Sequence, residues 1–401
     1  MKRLLFYCHH LSGLGHVART VRIAEAAAET GACECALMVS GAPVRGLAWD
    51  SRIRAIELPA VRLDPGGRVV PENGEDGGDR AQLVLDTIRD ERPDAVLVDY
   101  SPYGLGGELV ATLAAARDEG WSTRFLWGLP YAEDVRARPR NPRLRKALDA
   151  YHRVLGYSDE GWLDLFTPYA EFGLPEGREY VGVVTGTPAP PTARNGKPPV
   201  VLGYCGSGYG GGQLLDLMLE AAAPLARAGE VTLRFVAGVA NARDAFQQRA
   251  ADVPNVEVLG ECTVEDAARD ADLVVARCGY NSAYTLALTD LPLIFVPLRI
   301  AQSATEQYER ATSLSRVEGI ACVDESSPDA ADALHNAIRA SLQRGARPRT
   351  LPFRTDGAAN AARAILREAD MSERSPASGR RPDRATGGRS FQEASHQGAQ
   401  P

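Results

Sequence analysis

No stretch of about 20 apolar residues runs free of charge in the 401-residue chain, so the sequence predicts no membrane-spanning helix. A basic excess is missing as well. The 45 Lys and Arg against 52 Asp and Glu give a formal net charge of -7, the wrong sign for a surface that tracks a phosphate backbone, so nucleic acid is not an expected partner. Paired cysteines are also lacking. The seven (Cys8, Cys33, Cys35, Cys205, Cys262, Cys278, Cys322) are odd in number, scattered and mostly set in apolar strand-like runs. That pattern suits reduced cytoplasmic thiols, not a disulfide framework or a zinc site. Met1-Lys2-Arg3 precedes an apolar run, but His9-His10 end it and no small-residue cleavage site follows. The segment reads as a first buried strand and not as a secretory leader.

What the chain does have is alternation. Short apolar runs rich in β-branched residues alternate with longer Ala/Leu/Arg/Glu stretches at helical spacing, the pattern of βα units on parallel sheets. Strands are expected at 3–9, 34–40, 53–58, 94–99, 123–127 and 153–157, with helices near 16–29, 79–91, 105–118 and 142–150. A Pro/Gly/Thr-rich stretch at 184–199 sustains neither a helix nor a central strand, because proline lacks the N–H and fixes φ. Beyond it the alternation restarts, with strands near 200–205, 231–237, 256–259, 272–276, 293–296 and 320–323. Helices are expected between and after them, near 213–228, 241–251, 263–269, 281–289, 303–315 and 328–343.

The expected architecture is therefore α/β: a Rossmann-like domain over 1–183, a linker over 184–199, and a second Rossmann-like domain over 200–367. A Ser/Arg/Gly/Pro-rich tail over 368–401 has too few apolar residues to offset its ordering entropy and is expected to be disordered. Two such domains leave a cleft between the carboxyl ends of their strands, where ligands of open α/β sheets bind.

Four segments face that cleft. Gly13-Leu14-Gly15-His16 joins the first strand to the first helix, and its free N–H groups suit an anion; an ordinary tight βα turn has the same appearance. Gly206-Ser207-Gly208 opens a glycine-rich turn that runs to Gly212, where close backbone approach to a ligand accounts for the glycines better than packing does. Arg277, at a strand end beside Gly279, Asn281 and Ser282, suits a phosphate or a carboxylate. Glu306 and Gln307, near the start of a later helix, suit sugar hydroxyls.

The segment Arg277-Cys278-Gly279-Tyr280-Asn281-Ser282, followed by Leu291-Pro292, Val296-Pro297 and Glu306-Gln307 with Arg310-Ala311, resembles the nucleotide-sugar half of MurG-like glycosyltransferases of the GT-B fold. Gly13-Leu14-Gly15-His16 with Arg19, Val98 to Leu109, and Tyr151-His152-Arg153-Val154 are similar to a bacterial group of predicted glycosyltransferases. The resemblance implies a donor nucleotide in the second domain, UDP-type, as co-substrate with no further cofactor. It also implies a hydroxyl- or amine-bearing acceptor in the first domain, small or lipid-linked, and inverting transfer in the cleft. The helix-start turns would bind diphosphate, and His16 would be the base, with Asp99 or Asp134 orienting it or replacing it.

Two departures from the family pattern stand out. Thr285 occupies the place of a glutamate that grips the nucleotide ribose, and Pro130-Tyr131 stands where the group tends to carry an Arg-Asp pair. No Asp-x-Asp pair falls at the carboxyl end of an expected strand, in keeping with a metal-independent enzyme. Two alternatives stay open, a nucleotide-sugar hydrolase and a catalytically silent GT-B protein that binds sugar nucleotides. Peripheral membrane contact would accompany a lipid acceptor, and the Ala/Arg/Gly-rich composition is compatible with bacterial specialised metabolism.

Overall fold

The computed structural model describes residues 1–11, 14–44, 47–64, 68–72, 79–131, 142–190, 192, 197–206, 210–237, 242–298 and 305–372. In the first domain, β1 (Lys2–His10), α1 (Gly15–Glu29), β2 (Cys33–Gly41) and β3 (Ile53–Glu57) lead to a small antiparallel hairpin of β4 (Val61–Leu63) and β5 (Val69–Pro71). Then follow α2 (Arg80–Glu91), β6 (Ala95–Asp99), α3 (Val110–Asp118), β7 (Arg124–Leu129), α4 (Pro142–Leu148), β8 (Arg153–Gly156) and β9 (Gly177–Tyr180). The second domain holds β10 (Val200–Tyr204), α5 (Gly211–Arg227), β11 (Thr232–Val236), α6 (Ala242–Arg249), β12 (Val256–Leu259) and α7 (Val264–Ala268). It continues through β13 (Leu273–Ala276), α8 (Tyr280–Ala287), β14 (Leu293–Phe295), α9 (Thr305–Leu314), β15 (Ile320–Cys322) and α10 (Ala330–Arg344), and α11 (Gly357–Ser372) follows.

The two sheets are parallel, with orders β3-β2-β1-β6-β7-β8-β9 and β12-β11-β10-β13-β14-β15. The order reverses at β1/β6 in one and at β10/β13 in the other. A crevice opens at such a switch point because the helices after the two strands leave toward opposite faces. His10 and Asp99 end the first pair, and Tyr204 and Ala276 end the second. The central strands are buried on both faces, which is why they read as continuous apolar runs: Leu4 to Cys8, Val96 to Val98 and Leu273 to Ala276 are all buried.

Two expectations need correction. The helix expected over 105–118 is a short 3-10 turn at Leu105–Gly107 followed by α3, because Gly104, Gly106 and Gly107 adopt φ of 74°, 63° and 95° and interrupt the α-helix. The tail expected from Glu368 does not start there, since α11 runs through Ser372. Glu368 is 2% exposed and accepts from Arg153 Nε at 2.8 Å and Arg124 Nε at 2.9 Å, so a charge that looks solvated in the sequence is neutralised by partners more than 200 residues earlier. Residues 373–401 lie outside the described residues.

α11 packs on α1, β1, β6 and β7, which returns the chain to the first domain. The outgoing and returning passes are hydrogen-bonded to each other, Val183 N–H to Arg354 O at 2.8 Å and Gly357 N–H to Val183 O at 3.2 Å. A side chain at Gly357 would meet Gly182 O at 2.5 Å, so the two passes lie too close for one.

Candidate active site

The site begins at the start of α1. His16 and Arg19 are three residues apart on a helix and so share one face, and that face meets the end of β6. Asp99 is completely buried there. Its Oδ1 lies 2.9 Å from His16 Nδ1 and 2.7 Å from Arg19 Nη2, and its Oδ2 accepts from Arg19 Nε at 3.0 Å. Burial by itself would raise the Asp99 carboxyl, but the Arg19 guanidinium and then His16 hold it below the ordinary carboxylate range. Asp99 is thus an ionised anchor sealed behind His16. His16, with 24% of its side chain exposed, is the member of the group that reaches the cleft.

An aromatic cluster surrounds the imidazole. The Tyr100 ring stacks on His16 with centroids 4.8 Å apart, His9 lies 5.4 Å from His16, and Tyr131 lies 5.0 Å from Tyr100. Burial, reinforced by His16, lowers the His9 pKa to about 4, so His9 is neutral at physiological pH. Burial pushes the Tyr131 phenol up, and the Glu306 carboxylate of the second domain adds to it.

On the other side, α8 begins at Gly279-Tyr280, and Asn281 Nδ2 donates to Gly15 O at 2.7 Å, joining the starts of α8 and α1. The residues before α1, α5 and α8 (Leu14, Gly210 and Gly279) supply no side-chain cap, and the first turns of these helices carry no acid. By contrast α2 is capped by Asp79, and α7 by Thr263 with two acids in its first turn. Three uncapped helix starts bordering the switch points present free N–H groups and the positive end of the helix dipole to a bound anion. A Cβ at Gly206 would stand 3.8 Å from Ser282 Oγ, so the glycine-rich turn adjoins α8.

Arg277 does not reach the cleft as the sequence suggests. It is 3% exposed and donates to Gly210 O (Nη2 2.7 Å, Nε 3.3 Å), Val296 O (3.1 Å) and Glu325 Oε2 (2.7 Å). These bonds point it at the protein, where it holds Gly210, the residue before α5. Thr285 is likewise buried, its Oγ1 3.2 Å from Thr185 Oγ1 in the connecting segment, so it lies in a domain seam and presents no hydroxyl to a ribose. Glu306 pairs with Arg310, and Gln307 Oε1 accepts from Leu298 N–H at 3.1 Å. Gly13, Asp134, Ser207 and Gly208 lie outside the described residues. The sequence reading gave no role to Arg19, Tyr100 or Arg310. Arg19 was legible from its three-residue spacing to His16; Arg310, which donates to Cys278 O at 2.5 Å, had no local signal.

Residues 205–365 match the glycosyltransferase family 28 C-terminal domain. The chain has the GT-B fold of MurG. The chain is similar over 94% of its length to all of Acinetobacter baumannii MurG, at 16% identity and a TM-score of 0.56. S. aureus MnaA, solved with UDP, matches at 11% identity and a TM-score of 0.60 over 91% of this chain and 95% of that one. The spinosyn rhamnosyltransferase SpnG, solved with thymidine diphosphate, matches at 16% identity and a TM-score of 0.54 over 93% and 96%. At these identities the likeness is one of fold. No curated protein matches the chain significantly by sequence. No helix among the described residues is long and apolar enough to cross a membrane.

Proposed function

We propose that the chain is a MurG-like glycosyltransferase that moves a sugar from a UDP-type nucleotide donor to a hydroxyl or amine of a small or lipid-linked acceptor, with inversion and without a metal, in bacterial specialised metabolism. The observation that carries this reading is the hydrogen-bonded pair His16 and Asp99 at the uncapped start of α1, joined through Gly15 and Asn281 to the start of α8. In the tautomer with hydrogen on Nδ1, His16 donates to Asp99 and its Nε2 lone pair takes the acceptor proton. The acceptor oxygen or nitrogen bonds to the anomeric carbon from the face opposite the diphosphate. The carbon–oxygen bond to phosphate breaks, and the electron pair leaves with the diphosphate. Asp99 cannot reach the anomeric carbon from behind His16, so a single displacement with inversion fits the geometry better than a carboxylate-bound intermediate.

The uncapped starts of α5 and α8 favour the leaving charge electrostatically, as a cation would. UDP is favoured as the nucleotide by the UDP named for MnaA, with thymidine diphosphate next from SpnG. A silent, nucleotide-binding scaffold is the second reading, favoured because Arg277 and Thr285 both bond to the protein.

The deciding experiment is calorimetric binding of UDP, GDP, TDP, ADP and their common hexose forms, followed by turnover with mixed acceptors. Selective micromolar binding with acceptor-dependent turnover is expected. Full-rate donor consumption without acceptor would make the chain a hydrolase, and binding without turnover would make it a silent scaffold. No binding at all would remove the nucleotide-sugar assignment.

A further inference from the structure

Tyr100 has a left-handed backbone, φ 69°, a conformation that is a genuine outlier for a bulky aromatic residue. The other described non-glycine residues with positive φ are Arg92, which ends α2, and Asn255, a residue type that tolerates this region. Two bonds hold Tyr100 in place. Its N–H donates to Gly128 O at 2.9 Å, and its carbonyl accepts from Nε1 of the buried Trp127 at 2.7 Å. Strain fixed in this way at a site calls for a benefit the relaxed chain would lack.

The benefit lies in direction. Successive residues of an extended strand point to opposite faces, so a continued β6 would send Asp99 and the next side chain apart. Here both touch His16, Asp99 at Nδ1 and the Tyr100 ring against the imidazole at 4.8 Å and 21° between planes. A hydrogen bond in the ring plane leaves the imidazole free to rock about that bond, and a ring stacked on its face removes that freedom. Tyr131, at 5.0 Å, and His9, at 5.9 Å, pack around Tyr100 in turn.

We propose that Tyr100 is a positioning residue: its left-handed backbone is retained because it lays the phenol ring on His16 and fixes the plane of the imidazole. This rests on the reading of His16 as the base.

The test compares Tyr100→Gly with Tyr100→Phe. Glycine accepts φ 69° without strain, so Tyr100→Gly is expected to melt no lower than the parent, which separates lost positioning from lost folding. Its kcat should fall about tenfold or more while donor affinity stays unchanged, and Tyr100→Phe should stay within about twofold of the parent. Histidine NMR reads the contact without turnover: the His16 ring protons should be shifted upfield by the stacked ring in the parent and in Tyr100→Phe, and relax in Tyr100→Gly. Equal kcat in Tyr100→Gly, equal losses in both variants, or His16 signals that do not move would overturn the proposal. If His16→Ala itself keeps full rate, the reading of His16 as base has failed, and the ring-proton shifts still decide whether Tyr100 holds the imidazole.

Discussion

The guanidinium of Arg277 grips the carbonyl of Gly210 from two nitrogens, so a residue just past the end of β13 holds the residue from which α5 starts. Gly210 sits at φ 68°, and a Cβ there would meet Leu298 at 2.5 Å. The start of α5 thus depends on a buried charge that faces the protein.

Changing Arg277 to Ala should therefore act first on folding. Losing the buried pair with Glu325 and three bonds to carbonyls should cost about 3 kcal/mol, read as a lower midpoint in urea. Affinity for nucleoside diphosphate should drop along with it. A stable variant with selectively weakened diphosphate binding would instead put Arg277 in direct contact with phosphate.

Asp99→Asn removes the charge but keeps the shape. His16 should lose the partner that sets its tautomer, and kcat should fall about a hundredfold or more. Arg19, 2% exposed, would be left buried without a counter-ion, so the melting temperature should fall as well. A variant of parental stability and rate would show that the pair contributes to neither.

Glu368 gives a prediction in pH. Burial alone would raise its carboxyl, but hydrogen bonds from Arg153 and Arg124 hold it below its ordinary value. A depressed folded pKa means the unfolded chain takes up protons first as the pH falls. The stabilisation is therefore present above the unfolded value of about 4.3 and is lost as the pH drops through the folded value. Glu368→Gln should be less stable than the parent by about 1–3 kcal/mol at pH 7 and approach it below about pH 4. A gap that persists unchanged into acid would point to packing and not to charge.

His9 and His152 carry the same sign by a different route. Burial lowers both to about 4 from the unfolded 6.5, so the unfolded chain binds more protons between these values. Stability should therefore fall as the pH drops from 6.5 to 4. His152 Nδ1 accepts from Phe125 N–H at 3.0 Å, and Asn supplies an acceptor in a similar place. His152→Asn should flatten that slope in urea titrations run across this range; an unchanged slope would remove His152 as a source of it.

The central strands and the helix-start turns were legible in the sequence because burial on both faces leaves nothing but apolar residues between glycine breaks. β9 was missed: Gly177–Tyr180 carries two charges in four residues and has no apolar run. α11 was missed for a different reason. Its buried stripe is mostly alanine, Ala361, Ala362, Ala364 and Ala369 with Ile365, and small residues give little hydrophobic signal although they allow the close approach to α1. At the site, His16 and Asp99 were legible as residues at strand and helix ends. Arg277 and Thr285 were assigned outward because nothing local shows that Gly210, Glu325 and Thr185 would be waiting for them.

The doubled crossing at Val183 and Arg354 constrains how one domain could move against the other. Two passes of chain bonded side by side behave like adjacent knuckles of one hinge pin, about which a door swings but along which it does not slide. Rotation there displaces nearby groups least, and displacement grows with distance from the pin. An opening that kept both passes bonded would be an angular motion of one leaf against the other, and it would carry α8 and α9 relative to His16.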